Sequence, residues 1–396
     1  MKAVVFHALG DIRLDEVSEP TLQQDTDAIV RLTSSAICGT DLHFIRGTMA
    51  GVEPGTILGH EGVGIVESIG SGVRNLKVGD RVVVPSTVAC GYCAYCRAGY
   101  YAQCDNANPN GPGTAFYGGP KEAGGLDGMQ AEKVRVPFAH VNLVGLPDEV
   151  SDDEAILISD IFPTGYFGAD IAGIKPGHIV AVFGCGPVGQ FAIASAKLLG
   201  AGRVIAVDQH ADRLEMARNQ GAEVVDFSKE DPVATIKALT GGIGVDSVID
   251  AVGVDAEHAH EGAAKASRSP EDASKASPEA RTEGEHYKAG DGPMQSLAWA
   301  VEAVAKAGTI SIVGVYPPTD NLFPIGLAMN KNLTIRMGNC NHLKYVPMLV
   351  ELVRTGRVRP TAILTQDEPL SDVIGAYEQF DKRQPGWIKV ALQPAG

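Results

Sequence analysis

The sequence predicts an α/β protein of two domains, one built on a doubly wound parallel sheet and one mainly antiparallel and partly barrel-like. Its length of 396 residues is long for a single domain. The middle of the chain alternates short apolar runs with helix-like stretches, as parallel strands joined by crossover helices require. Residues 2–6 and 28–33 instead alternate apolar and polar positions, which is typical of antiparallel strands with one buried face.

The stretch 178–200, HIVAVFGCGPVGQFAIASAKLLG, organises the middle of the chain. An apolar run rich in β-branched residues passes through glycines directly into a helix-patterned segment, which predicts a strand, a tight turn and a helix. The G-x-G-x-x-G spacing brings a pyrophosphate to the free N–H groups at the start of that helix, although a plain strand-to-helix turn explains a lone triplet about as well. The motif residues are Gly184, Gly186, Pro187, Val188 and Gly189.

A second strand, predicted over 202–208, strengthens the dinucleotide interpretation. Its last residue, Asp208, lies about 20 residues beyond the glycines, where the fold needs a carboxylate for the adenosine ribose hydroxyls. This carboxylate would repel a 2′-phosphate and therefore favours NAD over NADP. Arg213 is counter-evidence, because a nearby arginine accommodates that phosphate. We give the acid more weight and assign Arg213 to the ribose or adenine.

Composition restricts the partners and the compartment. A formal net charge of −15 argues against nucleic acid or an anionic membrane as the main partner. No apolar run approaches the ~18 residues of a membrane span, and the N-terminal residues lack a signal-peptide pattern, so we expect a cytoplasmic protein. Seven cysteines, four of them clustered, indicate metal binding rather than a disulfide framework.

The clustered cysteines, Cys90, Cys93, Cys96 and Cys104, follow the pattern C-x2-C-x2-C-x7-C and are called the cysteine quartet below. Thiolates at this spacing reach one tetrahedral ion, which predicts a structural zinc site with no open position. A bacterial-type iron–sulfur run fits less well, because its last cysteine follows after three residues and precedes a proline, whereas Asp105 follows here. Four unmetallated surface thiols are disfavoured because exposed free cysteines are reactive.

Other potential metal ligands lie far apart in the sequence, at Cys38, His60, Glu61 and Asp160. Each has an ordinary alternative when taken singly, since a lone cysteine is often a small buried apolar residue and a lone histidine a hydrogen-bonded, partly buried one. Asp160 precedes a Pro-Thr-Gly turn and is as readily a helix cap as a ligand. Only the combination suggests a metal site.

Three further segments carry structural expectations. The stretch 255–293 contains no Val, Ile or Leu but nine acidic residues and nine alanines, which predicts an exposed insertion because little core can form. Alternation over 141–147 predicts a strand. A helix is predicted from Asp153 to Phe167 with a break at Pro163.

Five motifs now stand in one order along the chain: Cys38-Gly-Thr-Asp-Leu-His43, Gly59-His-Glu-Gly62, the cysteine quartet, Ser159-Asp160 with Pro163-Thr164-Gly165, and Gly184-x-Gly186-Pro-Val-Gly189. Together they resemble a zinc-dependent medium-chain alcohol dehydrogenase (MDR superfamily) over essentially the whole chain. The segment 159–167 and the insertion after 250–253 further resemble the branch that contains glutathione-independent formaldehyde dehydrogenase and formaldehyde dismutase.

The resemblance implies a GroES-like catalytic domain at 1–160 and 338–396 and a Rossmann NAD-binding domain at 161–337. It implies NAD and two zinc ions per chain, one catalytic and one structural. The partners implied are a small alcohol or aldehyde as substrate and further copies of the chain in a homodimer or homotetramer.

The resemblance also assigns catalytic roles. It makes Cys38, His60 and Asp160 the ligands of the catalytic zinc, with a fourth position open for water or the substrate oxygen, and Glu61 an alternative ligand. Many relatives have cysteine at the position of Asp160, whereas the formaldehyde branch has aspartate. Oxygen is a harder ligand than sulfur and should make zinc more electrophilic. Asp41 is expected to hydrogen-bond His60 and fix its tautomer.

Two residues are implied to move the substrate proton. Thr40 accepts it and passes it through the nicotinamide ribose to His43, which exchanges with solvent near neutral pH. Around the cofactor, Thr164 is placed beside the nicotinamide, and Arg336 is assigned to the pyrophosphate, although a surface salt bridge explains Arg336 nearly as well. The residues assigned to the walls of the cofactor crevice are Val252, Gly253, Val313 and Gly314.

The predicted function is zinc-dependent hydride transfer between an alcohol and NAD, or from NADH to an aldehyde or ketone in reverse. Within the enzyme class, the alternative is glutathione-independent formaldehyde oxidation or dismutation. From another class, the cysteine quartet could be a non-catalytic zinc module for interaction, but then Cys38, His60 and Asp160 would have no reason to converge. Two zinc ions per chain would favour the dehydrogenase.

Overall fold

The computed structural model describes residues 1–111, 113–260, 263–264, 286–317 and 323–394. The chain divides into two compact units. Unit 1 comprises Met1–Pro163, Thr282–Lys288 and Cys340–Gly396, and unit 2 comprises Thr164–Arg281 and Ala289–Asn339. Within the described ranges, no helix is both long enough and apolar enough to cross a membrane. All seven cysteines are free thiols.

The first part of the chain consists mostly of short strands with a few short helices. In chain order these are β1 (Lys2–Ala8), β2 (Asp11–Glu16), β3 (Ala28–Ile37), α1 (Gly39–Arg46), β4 (Gly62–Ile69), β5 (Arg81–Val84), α2 (Ala94–Arg97), 3₁₀ turns at Tyr101–Gln103 and Lys121–Ala123, β6 (Lys133–Val136), α3 (Ala139–Asn142), β7 (Val144–Gly145), α4 (Asp152–Ser159) and α5 (Ile161–Ile171).

The middle of the chain alternates strands and helices. These are β8 (Ile179–Phe183), α6 (Pro187–Leu198), β9 (Arg203–Asp208), α7 (Ala211–Asn219), β10 (Glu223–Asp226), α8 (Pro232–Leu239), β11 (Val245–Asp250), α9 (Gln295–Ala303), β12 (Val304–Ile312), α10 (Ile325–Asn330) and β13 (Thr334–Met337). The last part contains α11 (His342–Arg354), a 3₁₀ turn at Pro360–Ile363, β14 (Gln366–Pro369), a 3₁₀ turn at Leu370–Asp372, α12 (Val373–Asp381) and β15 (Val390–Gln393).

Unit 1 is built around a seven-stranded sheet in the order β14-β15-β3-β4-β5-β7, with β6 also paired to β3. Every pairing in it is antiparallel except that of β14 with β15. The ten-residue strand β3 is the centre, because it pairs with β15, β4 and β6. Val30 and Leu32 of β3 lie in one apolar core, and Ile37 lies in a second one with α12.

Unit 2 contains a six-stranded parallel sheet in the order β10-β9-β8-β11-β12-β13. Apolar clusters cover it, one of them including Phe183 and Trp299 and another including Val182 and Ile193. The direction of strand order reverses between β8 and β11. The loops that follow these two strands therefore diverge at the carboxyl ends of the strands. Ligands of doubly wound folds bind in the crevice that such diverging loops leave open.

Two sequence-based expectations about local structure were wrong. The helical stretch over 152–171 breaks at Asp160, not at Pro163, which lies in the first turn of α5, where a missing N–H costs nothing. The strand expected at 141–147 is reduced to β7, because residues 139–142 form α3. Asn142 stabilises that turn by donating to Pro137 O at 2.8 Å and accepting from Ala89 N at 3.0 Å.

The expected exposed insertion at 255–293 is corrected at its described ends. Ala259 and Ala264 are fully buried in the core beside Trp299, and Tyr287 is buried beside α12. The two alanines and the Tyr287 ring add to two separate apolar cores, so the absence of Val, Ile and Leu from the stretch underestimated the burial at these positions. The centre of the stretch, residues 265–285, lies outside the described residues.

Candidate active site

Strand register in unit 1 brings distant parts of the chain to one place. Ser35 of β3 lies opposite Gly62, the first residue of β4, and Ile37 lies opposite Val390, the first residue of β15. The end of β3 therefore meets the beginnings of both neighbouring strands. The residues just outside these strand ends are Cys38, His60, Glu61 and Lys389.

The side chains of Cys38, His60, Glu61 and Asp160, called the mixed group below, form a compact cluster of potential metal ligands. One ligand atom from each lies within 4.8 Å of all the others. Asp160 Oδ2 is 3.3 Å from His60 Nε2 and 3.6 Å from Cys38 Sγ. All four residues are buried, and Glu61 Oε2 has no hydrogen-bond partner among the described residues. A buried site that offers a thiol, an imidazole and two carboxylates, one of them with an oxygen atom that has no hydrogen-bond partner, fits zinc.

The pKa values within the mixed group depend on its charged neighbours. Burial alone would lower the pKa of His60, but the carboxylate of Asp41 and the thiol of Cys38 raise it well above its usual value. Burial alone would raise the pKa of Asp160, but hydrogen bonds from His342 and His60 hold it well below its usual value. Asp160 is therefore an anion in the folded protein.

Asp41, expected to hydrogen-bond His60, lies at ion-pair distance from the ring, but the two facing atoms do not have hydrogen-bond geometry. Its Oδ1 is 3.3 Å from His60 Nδ1, and its Oδ2 accepts from Cys38 N at 3.0 Å. Gln130 Nε2 donates to the same Oδ2 at 3.2 Å, and Tyr377 OH donates to Gln130 Oε1 at 2.8 Å. The backbone N–H of Cys38 and the Gln130 side chain, itself held by Tyr377 of α12, thus hold the Asp41 carboxylate in place.

Sequence reasoning missed Lys389, which is fully buried beside the mixed group. Its ammonium donates to Glu61 Oε1 at 2.5 Å and to Ile37 O at 2.9 Å. Burial raises the pKa of Glu61 to about 7, against the opposing effect of the Lys389 charge. A signal was present, because Lys389 is the single charged residue in the apolar run Trp387-Ile-Lys-Val-Ala-Leu392.

His342, the first residue of α11, was also missed. Its Nε2 lies 2.8 Å from Asp160 Oδ1, and its Nδ1 lies 3.0 Å from Thr87 Oγ1. The imidazole and the threonine are both buried. Nothing in the local sequence points to this contact, because His342 is 182 positions away from Asp160.

The two proposed proton carriers lie on α1. Thr40 is half-buried and His43 is buried, and residues three apart on a helix share a face. His43 Nδ1 lies 2.9 Å from Thr48 Oγ1, so a hydroxyl holds the ring.

The cysteine quartet is equally compact, with its four sulfur atoms within 4.8 Å of one another. Backbone N–H groups surround the thiols: Cys90 Sγ accepts from Cys93 N at 3.3 Å, and Cys104 Sγ accepts from Cys90 N at 3.2 Å. Burial opposes ionisation of Cys93, but the N–H of Cys96 and other donors lower its pKa to about 7. An all-sulfur set with these donors fits a closed tetrahedral zinc site.

The glycine turn of unit 2 joins β8 to α6. Gly184 has a φ of +86°, which a side chain would strain, and a Cβ at Gly189 would lie only 1.9 Å from Gly184 O. A Cβ at Gly186 would meet nothing closer than the Arg213 guanidinium, at 3.7 Å. The helix therefore approaches the strand closely, while the middle of the turn stays open. Pro187 and Val188 begin α6.

Asp208 ends β9 and lies beside this turn. Its Oδ2 accepts from Cys185 N at 2.7 Å, and its Oδ1 accepts from Gln209 N at 2.7 Å and His210 N at 2.9 Å. Burial would raise the pKa of Asp208, but Arg213 and these donors lower it. A buried anion therefore stands at the position predicted for the ribose contact.

The other predicted cofactor residues divide into two sets. Beyond β11 and β12, a Cβ at Gly314 would lie 2.4 Å from Gly253 N, so the two strand ends run side by side at the glycines. Val252 packs over the glycine turn, and Val313 N donates to Asp250 O at 3.0 Å. Thr164 lies half-buried on α5, and Arg336 lies exposed on the edge strand β13, three strands away from β8.

Comparison with known proteins adds to this geometry. Residues 24–148 match the model of the alcohol dehydrogenase GroES-like domain, and residues 187–266 match the model of the zinc-binding dehydrogenase family. The uncharacterized zinc-type alcohol dehydrogenase-like protein AdhB of Bacillus subtilis is 39% identical over 398 residues, covering 100% of both chains. The chain belongs to the zinc-type alcohol dehydrogenase family.

Two further relatives of this family are informative. The glutathione-independent formaldehyde dehydrogenase of Pseudomonas aeruginosa is 36% identical over 409 residues, covering 97% of this chain and 96% of that one. The solved structure of the alcohol dehydrogenase TADH from Thermus sp. ATN1 superposes with a TM-score of 0.82 at 35% identity, covering 99% of both chains.

These findings confirm the predicted family, fold class and enzyme class. As a zinc-type alcohol dehydrogenase the protein is an oxidoreductase, and it combines a GroES-like domain with a doubly wound dinucleotide-binding fold. The mixed group and the cysteine quartet fit a catalytic and a structural zinc ion respectively. The alternative of a non-catalytic zinc module has no support.

Proposed function

We propose that this protein catalyses the reversible, NAD-dependent oxidation of a small alcohol to an aldehyde or ketone at the mixed group. The observation that carries the proposal is the convergence of Cys38, His60 and Asp160, whose ligand atoms lie within 4.8 Å of one another although two of the residues are separated by 122 positions. Structural cohesion does not require a buried thiol, imidazole and carboxylate to meet, whereas metal binding does.

Cys38, His60 and Asp160 would hold the catalytic zinc, with Glu61 as an alternative ligand. One thiolate and one carboxylate balance the charge of a divalent ion. When bound, zinc would supply a Lewis acid that lowers the pKa of the substrate hydroxyl, and NAD would supply the hydride acceptor. Asp41 Oδ1 lies 3.3 Å from His60 Nδ1, and its charge would favour the orientation of His60 that presents Nε2 to the metal.

The substrate proton would leave along α1. We assign acceptance of the proton to the Thr40 hydroxyl and its onward transfer to His43, because an imidazole can both accept and donate a proton. Thr48 supports this path by holding the His43 ring at 2.9 Å. Thr40→Ala should lower kcat far more than Thr40→Ser, because serine retains the hydroxyl.

NAD is the proposed cofactor, held by the glycine turn, Asp208, Arg213, Thr164 and the ends of β11 and β12. The argument for NAD over NADP is the buried Asp208 anion, which a 2′-phosphate would have to approach. We expect a higher kcat/KM with NAD. A higher value with NADP would show that Arg213 outweighs Asp208. Arg336 is the weakest of the proposed contacts, since it lies exposed on β13.

One experiment tests the whole proposal. The purified protein is analysed for zinc and assayed with primary, secondary, aromatic and sugar alcohols, each with NAD and with NADP. Two zinc ions per chain and NAD-dependent oxidation of at least one alcohol are expected. One zinc ion per chain, with no turnover of any alcohol or aldehyde, would overturn the proposal.

Formaldehyde is the second candidate substrate. Two observations favour it: the 36% identity to the formaldehyde dehydrogenase of P. aeruginosa, and Asp160 as the oxygen ligand that the resemblance associates with that branch. Hydrated formaldehyde carries hydroxyl groups and would bind as the alcohol does. Formaldehyde in the same panel, assayed with and without added NAD, separates oxidation with exchanging cofactor from dismutation with retained cofactor.

Three wider aspects complete the proposal. We assign catalysis to 1–160 with 338–396 and NAD binding to 161–337, in a cytoplasmic enzyme.

We assign homo-oligomer formation to the edge strand β13 and the neighbouring α10. No described strand pairs with the outer side of β13, and the apolar side chains of Ile325, Met329 and Met337 are exposed there. Light scattering of Met337→Lys against the unchanged protein tests this assignment.

A further inference from the structure

The carboxylate of Asp160 divides its two oxygen atoms between different neighbours. Oδ2 faces the mixed group, at 3.3 Å from His60 Nε2 and 3.6 Å from Cys38 Sγ. Oδ1 lies 2.8 Å from Nε2 of His342. A carboxylate can bind a metal through one oxygen or through both, so whatever holds Oδ1 also decides how many ligand atoms Asp160 contributes.

His342 is itself held in place. Its side chain is 3% exposed, and its second nitrogen, Nδ1, lies 3.0 Å from the buried Thr87 hydroxyl. Nε2 carries hydrogen both in the imidazolium form and in the neutral tautomer whose Nδ1 accepts from Thr87. An ionised carboxylate can only accept, so the contact with Asp160 selects a form of the ring in which Nε2 carries hydrogen and donates it.

We propose that His342 is a positioning residue that keeps Asp160 Oδ1 away from the catalytic metal, so that Asp160 contributes one oxygen and a coordination position stays open for substrate. Thr87 sets the orientation of the His342 ring. This inference rests on the proposed function, because it assigns a task toward the metal of the same site. Partners behind a metal ligand orient it and change the affinity of the site.

Two substitutions at the same position separate this role from mere packing. His342→Gln keeps an N–H donor where Nε2 stands, and so retains the contact with Asp160. His342→Asn keeps a polar group near Nδ1, and so retains the contact with Thr87 but loses the one with Asp160. A purely structural role predicts similar effects for the two amides, whereas positioning of Asp160 predicts that only glutamine rescues.

Metal binding is the first readout. We expect His342→Asn to lower the zinc affinity of the mixed group about 10–100-fold in competition with a chelator, and His342→Gln to stay close to the unchanged protein. The zinc of the cysteine quartet is the internal reference and should be retained in every variant. His7→Asn is the matched control, because it removes a His–Asp contact of 2.7 Å elsewhere in unit 1.

The visible spectrum of the protein with cobalt(II) in the mixed group and zinc retained in the cysteine quartet is the second readout. Four-coordinate cobalt absorbs more strongly in the visible region than cobalt with additional ligands. We expect this absorption to fall in His342→Asn, because a released Oδ1 can bind the metal as well, and to be retained in His342→Gln. Thr87→Val, which keeps the side-chain volume, should shift the zinc affinity and the cobalt absorption in the same direction by a smaller amount. It replaces His342→Asn as the test variant if His342→Asn does not fold.

The outcomes separate the inference from the proposed function. If the unchanged protein binds metal only at the cysteine quartet, the proposed function fails. If it binds two ions but the two amide variants leave the zinc affinity and the cobalt spectrum unchanged, only the role of His342 is overturned. Where an amide variant does not fold, an unchanged affinity and spectrum in Thr87→Val overturn that role in the same way. Equal losses in the asparagine and glutamine variants would also overturn it, since they indicate packing.

Discussion

The cysteine quartet and the mixed group each bring four potential ligands within 4.8 Å of one another, yet they do so by different means. The quartet comes from one segment, 90–104, and its thiols accept hydrogen bonds from backbone N–H groups of that same segment. The mixed group comes from residues 38 to 160 and is surrounded by buried charged or polar side chains from other elements, namely Asp41, His342 and Lys389.

This difference explains how each site can be altered. Most donors to the quartet are peptide N–H groups, which ordinary side-chain substitutions leave in place, so the site should respond strongly only when a cysteine is lost. The mixed group depends on side chains that each neutralise or orient one ligand, so its affinity and geometry respond to single substitutions at a distance. A closed structural site suits the first construction, and a site that must bind and release substrate suits the second.

The largest effect is expected from Asp160→Ala. It removes a metal ligand from the mixed group, so turnover should fall below detection while the fold and one zinc ion per chain remain. Steady-state kinetics, elemental analysis and circular dichroism check the three parts. Near-normal activity in this variant would overturn the ligand assignment and with it the contrast between the two sites.

Cys93→Ser should lower the stability of the protein while leaving the activity of the mixed group intact, the opposite of Asp160→Ala. Loss of the quartet zinc removes stabilising energy, and each kcal/mol lost lowers the unfolding midpoint by about 2–4 °C for a domain of 150–250 residues. Molecules that remain folded should oxidise alcohol at the normal rate per catalytic zinc. A normal zinc content together with a normal midpoint would show that the quartet does not hold a structural ion.

Lys389→Met tests whether the mixed group depends on a buried charge. Leaving Glu61 buried without its partner should lower the free energy of unfolding by about 3–5 kcal/mol, measured by urea titration of the metal-free protein. Adding Glu61→Gln should recover much of the loss. Lys133→Met is the control, because Lys133 lies 2.9 Å from both Glu19 and Glu67 at the surface and its loss should change the free energy of unfolding far less.

The smallest effect is expected from Asn106→Ala. Asn106 Nδ2 donates to Cys90 Sγ at 3.2 Å and is a side-chain donor to the quartet, among backbone donors. Losing one such bond costs about 0.5–1.5 kcal/mol, so zinc release from the quartet should accelerate by about two- to thirteenfold. Alcohol oxidation should not change. A large loss of zinc would show that the quartet, too, depends on a neighbouring side chain and not only on its cysteines and backbone donors.

Local patterns predicted the parts of the molecule that local geometry creates. The quartet followed from three spacings, and the glycine turn followed from positions where a Cβ would meet backbone, as at Gly189. The convergence of Cys38, His60 and Asp160 came from a resemblance of motifs, because no spacing rule joins residues so far apart. The burial of the ends of 255–293 was not predicted, because alanine is compatible with both core and surface.

Sequence alone therefore determined the two-domain α/β class, the closed cysteine site, the strand-turn-helix unit and the acid that ends β9, because each depends on interactions between residues near in the chain. Only the tertiary structure revealed that Lys389 and His342 stand behind Glu61 and Asp160. Their positions follow from the pairing of β15 with β3 and from where α11 begins. These are long-range pairings that leave no period or spacing in the sequence.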